Sequence, residues 1–241
     1  MNPTSYILYS TLTDFGDSAL LMPVAGLFTL WMVFERAWRA LGWWLVLFGG
    51  GATLVGLTKV AFLGWGVGIE AIDFTGFSGH TMFSSTIYPA LLVWMSQRRG
   101  IKVQAVAWLL GVLFALAIGV SRVVLHLHSQ SEVLGGFMLG TSISLAWVWT
   151  SGRDLRAHPY QFVALLAIAL VMGSAHGHHA RTQNMITRVA LALSGRTVPY
   201  TRNSAWPDRY QKRNANPTQQ VLLTPPAAVP QGMTGLVARH A

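Results

Sequence analysis

The sequence predicts an all-α integral membrane bundle of about six transmembrane helices, and three observations carry that expectation. Hydrophobic residues make up 52% of the 241 and charged residues only 10%, a balance that suits a chain folding in lipid. Apolar runs of roughly 20 residues recur, the length a helix needs to cross a hydrocarbon core of about 30 Å. Basic residues collect in alternate loops, as they do in a chain that weaves through a bilayer.

The opening stretch "MNPTSYILYSTLTDFGDS" lacks a basic n-region and carries Asp14 and Asp17. No cleavable signal peptide is therefore expected, and the first span directs insertion. Spans are expected near 19–34, 42–64, 80–96, 103–121, 132–150 and 160–175. The third contains Pro89 and several hydroxyls and the sixth is short, features that membrane bundles tolerate because neighbouring helices re-satisfy the backbone. Trp31, Trp43, Trp44, Trp94, Trp147 and Trp149 fall near segment ends, where an aromatic belt would lie. Residues 1–175 thus read as the transmembrane domain and 176–241 as a basic, partly disordered tail. Within that tail, 182–193 can form an amphipathic helix on the membrane surface, and "NPTQQVLLTPPAAVPQG" has the composition of a disordered end.

Charge sets the orientation. Arg36 and Arg39, then Arg98, Arg99 and Lys102, then Arg153 and Arg156 occupy three loops on one side, which the positive-inside rule makes cytoplasmic. Loops 65–79 and 121–131 then face the opposite side. The net charge of +9 does not imply a nucleic-acid partner, because eight of the seventeen Lys and Arg lie in the last quarter of the chain with no nucleic-acid motif around them. They read as membrane-surface contacts or a solvated tail. With no cysteine, disulfides, thiolate nucleophiles and Cys-based metal sites are excluded, and site chemistry falls to His, Asp, Glu, Ser, Lys and Arg.

Both outward loops bear such groups. "FTGFSGHT" spans 74–81 and "SRVVLHLHSQSE" spans 121–132, and only two spans separate them, so they can converge. His128 and Glu132 are four apart, so at the start of a helix they share a face. A carboxylate that holds one imidazole nitrogen leaves the other able to attack, the logic of an activated histidine. Arg122 offers a planar fork of donors for phosphate oxygens. Ser78 and Gly79 offer a hydroxyl and close backbone approach at a helix start, and His80 beside them can protonate a leaving group. His126 reads as an interfacial polar residue that points away from His128. "HGHH" at 176–179 could chelate a metal through His176 and His179, but without a nearby carboxylate it reads as an interfacial polar patch.

These residues resemble the type-2 phosphatidic acid phosphatase superfamily, which also includes vanadium-dependent haloperoxidases and carries the motifs K-x6-R-P, P-S-G-H and S-R-x5-H-x3-D. "FSGH" ends at His80, and Ser121-Arg122, His128 and Glu132 reproduce the third motif's spacing with Glu in place of Asp. The resemblance implies that His128 is a nucleophile forming a phosphohistidine, His80 protonates the departing group, Ser78, Gly79 and Arg122 hold phosphoryl oxygens, and Glu132 orients His128. Lys59 in "TKVAFLGWGVG" stands as the first-motif lysine, with a snorkelling helix-end lysine as its competing reading. Four positions depart from the pattern. Gly66 and Val67 stand where Arg and Pro should follow, Phe77 replaces the proline, and Glu132 is one methylene longer than Asp.

The implied protein is a phosphatase acting on a lipid phosphate or diphosphate without cofactor or metal. Its expected location is the bacterial inner membrane, with the active site on the periplasmic face. A phosphotransferase differs only in the acceptor, and a non-catalytic lipid-phosphate-binding protein is the alternative from another class. A haloperoxidase is disfavoured, because a spanning bundle suits a soluble oxidant poorly and one phosphate-binding cation is missing.

Overall fold

The computed structural model describes residues 2–151 and 182–207, and among them every regular element is helical. In chain order these are α1 (Pro3–Asp14), α2 (Ser18–Phe34), α3 (Trp38–Trp65), α4 (Gly79–Met95), α5 (Ile101–Val124), α6 (Gln130–Ser151), α7 (Thr182–Ser194) and α8 (Arg202–Ala205), with a 3-10 turn at Glu70–Ile72. The described residues up to Tyr200 form one compact unit, and residues 201–207 belong to a second. In that second unit α8 is a single turn closed by a capping box between Thr201 and Ser204.

Each boundary has a local cause. Asn2 and Asp17 cap α1 and α2 by accepting the amides of Thr4 and Ala19, which satisfies donors a helix start leaves open. Helix α3 ends at Gly66, whose φ of 72° is left-handed and whose N–H returns to Phe62, a geometry glycine adopts without strain.

Among the described residues, four helical stretches are long and apolar enough to cross a membrane: Pro3–Phe34 taken together, Trp38–Trp65, Ile101–Val124 and Gln130–Ser151. Leu109, Leu110 and Leu113 on α5 and Leu45, Val46 and Leu57 on α3 are 49–65% exposed, an apolar outer surface suited to lipid rather than water. These four take up the expected segments 19–34, 42–64, 103–121 and 132–150. The expected count of six is not confirmed: the third segment is α4, at 17 residues shorter than these four spans, and the sixth, 160–175, lies outside the described residues. So does "HGHH". Helix α1 was not among the expected spans, because its hydroxyls and Asp14 dilute the apolar signal.

Helix α4 is the centre of the bundle and is buried at every position from Thr81 to Leu91. Its hydroxyls are self-satisfied: Ser84, Ser85 and Thr86 donate to the carbonyls of His80, Thr81 and Met82. Glycines let its neighbours approach. A Cβ on Gly111 of α5 would lie 2.6 Å from the Pro89 backbone, and one on Gly136 of α6 would lie 2.6 Å from the Ser78 carbonyl. Close backbone approach at small residues is how helices associate where lipid offers no hydrophobic drive.

At the end of the bundle remote from loops 66–78 and 125–129, Phe28 packs edge-on against Trp44, Trp94 and Trp147 with ring centroids 5.1–5.6 Å apart. The three tryptophans are 0–1% exposed, so the expected belt is corrected there. They sit near segment ends but point inward, where Trp44 and Trp147 donate their indole N–H groups to Thr29 and the Ala40 carbonyl. Trp43 and Trp149 remain exposed at 42% and 87%.

Helix α7 forms within one residue of the expected 182–193. It leans on α3, with its Ala190 carbonyl and Ser194 against Gly64, and its Thr182 hydroxyl meets Ser18 at 3.1 Å. Met185, Val189 and Leu193 form an exposed apolar stripe at four-residue spacing.

The glycine contacts make a direct prediction. A Cβ at Gly140 would overlap Ser85 Oγ and the Met82 carbonyl, whereas one at Gly50 meets nothing within 4 Å. Gly140→Ala should lower the thermal midpoint in detergent by an amount equivalent to about 1–3 kcal/mol of overpacking, and Gly50→Ala should leave it unchanged or raise it. Equal midpoints would contradict the packing described for α4 and α6.

Candidate active site

At one end of the bundle meet the C-terminal turns of α1, α3 and α5 and the N-terminal turns of α2, α4 and α6. This antiparallel wiring brings together residues spread over 120 positions of sequence.

The centre is Glu132. Helix α6 starts at Gln130, so Ser129 is its N-cap and Glu132 its third residue. The Ser129 N–H donates to Glu132 Oε2 at 3.1 Å and the Glu132 N–H donates to Ser129 Oγ at 3.3 Å, a reciprocal capping box. The same Oε2 lies 2.7 Å from His128 Nδ1. Oε1 accepts from both the N–H and the hydroxyl of Thr75. Glu132 is fully buried and, taken as a carboxylate, can only accept, so His128 carries its proton on Nδ1 and presents a lone pair on Nε2. Burial is the main cause that pushes the His128 pKa below its usual 6.5, with Lys59 and Arg122 pushing the same way and Glu132 opposing them. The ring is therefore neutral at neutral pH.

The loop from α3 to α4 is fastened to this centre. Ile69 and Phe74 pair through two backbone hydrogen bonds, the Ser78 N–H donates to the Glu132 carbonyl at 3.0 Å, and the Ser131 hydroxyl donates to the Ile72 carbonyl at 2.7 Å. The Phe77 N–H donates to Thr58 Oγ1 at 3.3 Å, a bond proline could not make, and its ring fills the space left by Gly135. Ser78 is buried and its hydroxyl accepts from Thr81. Its side chain does not cap α4, which leaves the Gly79 amide at the positive end of that helix for an anion.

The cations converge as well. Lys59, in the last two turns of α3, is half-buried, and its charge acts on Arg122, Glu132 and His128. Arg122 donates from Nη1 to Thr13 Oγ1 at 3.2 Å, while its Nε is buried and has no partner among the described residues. The chain after Arg122 folds back on it, with the N–H groups of Leu127 and His128 pointing to its carbonyl. His126 makes this turn with a φ of 55° and is exposed, away from His128 as expected.

All seven expected residues, His128, His80, Glu132, Lys59, Ser78, Gly79 and Arg122, thus lie on elements that meet at this end. The turn from α1 to α2 was missed. Thr13 holds Arg122, Asp17 Oδ2 lies 3.8 Å from His80 Nε2, and Asp14 and Asp17 balance the Arg122 charge. The signal available in sequence is the pair of acids ahead of an apolar run, which count there only against a signal peptide.

A family model described as the PAP2 superfamily matches residues 70–156, a stretch that contains both histidine-bearing loops and begins after Lys59. A relative from Klebsiella pneumoniae, named an uncharacterized 22.5 kDa protein in the cps region, is 33% identical over 199 residues, 80% of this chain and 95% of that one. No solved structure matches the chain.

Because Thr75, Ser129 and His128 all donate to the Glu132 oxygens, an amide cannot replace the carboxylate without setting one N–H against another. Glu132→Gln should cost about 1–3 kcal/mol, as an unsatisfied buried donor does, read as a lower thermal midpoint in detergent. An unchanged midpoint would show that the carboxylate does not hold Thr75, Ser129 and His128 together.

Proposed function

Because the chain belongs to the PAP2 superfamily, we propose that it is a membrane-embedded phosphatase that hydrolyses a lipid phosphate or diphosphate through a phosphohistidine intermediate. The observation that carries this reading is the 2.7 Å contact from His128 Nδ1 to the buried Glu132 carboxylate, which leaves a neutral imidazole with its Nε2 lone pair available.

In the first step Nε2 attacks phosphorus, the P–O bond to the leaving group breaks, and His80 gives that oxygen its proton. The positive charge that develops on the His128 ring is stabilised through Nδ1–H by Glu132. Arg122 Nε, the Gly79 amide and the Lys59 ammonium supply donors and charge for the equatorial oxygens, where stabilisation counts most. In the second step water attacks the phosphohistidine, His80 takes its proton, the P–N bond breaks, and phosphate leaves. A phosphotransferase would run the same two steps with another hydroxyl in place of water.

The substrate class follows from position. The site lies at the ends of helices whose flanks are apolar, and the exposed stripe of α7 adds lipid-facing surface beside α3, so a headgroup held at a bilayer surface reaches it. The basic loops around Arg36, Arg98 and Lys102 support an orientation with those loops in the cytoplasm and the site on the periplasmic face of a bacterial inner membrane.

Purified protein in detergent should release phosphate from lipid phosphates, and His128→Ala should remove that turnover while the protein still inserts and folds, since the side chain sits in a turn. Undiminished release by the variant would overturn the assignment. In the wild type the nucleophile is the neutral ring and its pKa lies below 6.5, so kcat/KM should fall on the acid side only below pH 6.5.

Orientation is tested separately, because the chain has no cysteine. A single cysteine at exposed Leu127 should react with an impermeant thiol reagent in intact cells with a permeabilised outer membrane, and one at exposed Lys102 should not. The reverse pattern would invert the orientation.

A further inference from the structure

The turn between α1 and α2 lies outside the matched family stretch, yet it is built into the site. It is tied at three points. Thr13 accepts from Arg122 Nη1 at 3.2 Å, the Phe15 carbonyl accepts from the Tyr88 hydroxyl of α4 at 2.7 Å, and Gly16 lies so close to His80 that a Cβ there would stand 3.2 Å from the His80 Cβ and 2.7 Å from Ile118. Asp17 ends the turn. Its Oδ1 accepts from the Ala19 N–H at 2.8 Å as the N-cap of α2, which fixes the plane of the carboxylate. Oδ2 is thereby held 3.8 Å from His80 Nε2, with the two side chains only 11% and 23% exposed.

We infer that Asp17 is a positioning residue for leaving-group protonation: capped into α2, its carboxylate orients His80 and favours the imidazolium that must give up a proton. The role rests on the phosphatase reading above. At 3.8 Å the contact is an ion-pair distance rather than a hydrogen bond, and catalytic contacts of this kind tighten when substrate binds. A neutral His80 would have no proton to spare as the P–O bond breaks, and the leaving oxygen would depart as an anion. The site then contains two carboxylate–histidine pairs of opposite purpose. Glu132 meets His128 through a hydrogen bond that leaves a lone pair, and Asp17 faces His80 to keep a proton. Arg122 shares the Asp17 charge, so the same residue also couples the acid to the phosphate-binding side.

The test separates proton delivery from structure by the leaving group. Asp17→Asn removes the charge and keeps the cap, because Asn caps as well as Asp. Two substrates are compared: dodecyl phosphate, whose alkoxide needs a proton to leave, and a dodecyl-substituted nitrophenyl phosphate, whose phenolate does not. The variant should lose about 10- to 100-fold in kcat on dodecyl phosphate, part of what general acid catalysis contributes, and under about 3-fold on the nitrophenyl ester. Asp17→Ser, which also caps, should show the same split and guards against a folding defect peculiar to Asn. In a His80→Ala background, Asp17→Asn should cost nothing further on dodecyl phosphate. Equal losses on the two esters, or additive losses with His80→Ala, would overturn the assignment to Asp17. Wild-type protein that releases phosphate from neither ester would overturn this role, and if it also leaves dodecyl diphosphate intact the phosphatase reading falls with it.

Discussion

The fully buried carboxylate of Glu132 is the constraint on which the rest of the site depends. Burying a charge is costly unless donors and an opposite charge surround it. Here two amides, a hydroxyl and an imidazole N–H converge on its two oxygens, and Lys59 supplies the positive charge. Each donor comes from a different structural requirement: Ser129 needs a capped helix, Thr75 needs a fastened loop, and His128 needs a fixed tautomer. One carboxylate thus closes the cap of α6 and meets His128 at the same time. The extra methylene of Glu is what lets a side chain at the third helical position reach back to the cap amide, the geometry of a capping box, while still meeting His128.

The other end of the bundle explains why the site can be held so closely. Phe28 and the tryptophans of α3, α4 and α6 lock four helices together at the remote end. Gly111, Gly136 and Gly140 let α5 and α6 lie against the backbone at and just before α4. Helix α4 cannot slide without breaking one or the other, and His80 occupies its first turn. Precision at the chemical end is thus supplied by aromatic packing and by the absence of side chains, two features far from any reacting atom.

Much of this was legible in the sequence. The spans at 42–64, 103–121 and 132–150 stood out because long apolar helices announce themselves by composition alone. The pairing of His128 with Glu132 was legible because four-residue spacing at a helix start is a local rule. Three things were not. Trp44, Trp94 and Trp147 were assigned to a belt because position along a span says nothing of which way a ring faces. Helix α1 was hidden by its hydroxyls. Asp17 carries no site signal in the sequence because His80 is 63 positions away and only the folded bundle brings the two together.

The departures from the family's first two motifs also have physical reasons. Phe77 donates an N–H to Thr58 and fills the space at Gly135, so the loop that proline would stiffen is held by a hydrogen bond and a ring instead. At Gly66 the left-handed end of α3 favours glycine over arginine, and Tyr200 covers the place where a longer side chain would lie, anchored by its N–H to the Leu63 carbonyl. Arg196 stacks on that tyrosine 4.1 Å from the ring centroid but stays exposed. Among the described residues, Lys59 and Arg122 therefore face three carboxylates, Asp14, Asp17 and Glu132. With no excess of positive charge among them, the net field does not favour an anion: the unpartnered Nε of Arg122 and the uncapped start of α4 are donors already in place, and an anion would be favoured only where its oxygens can meet them.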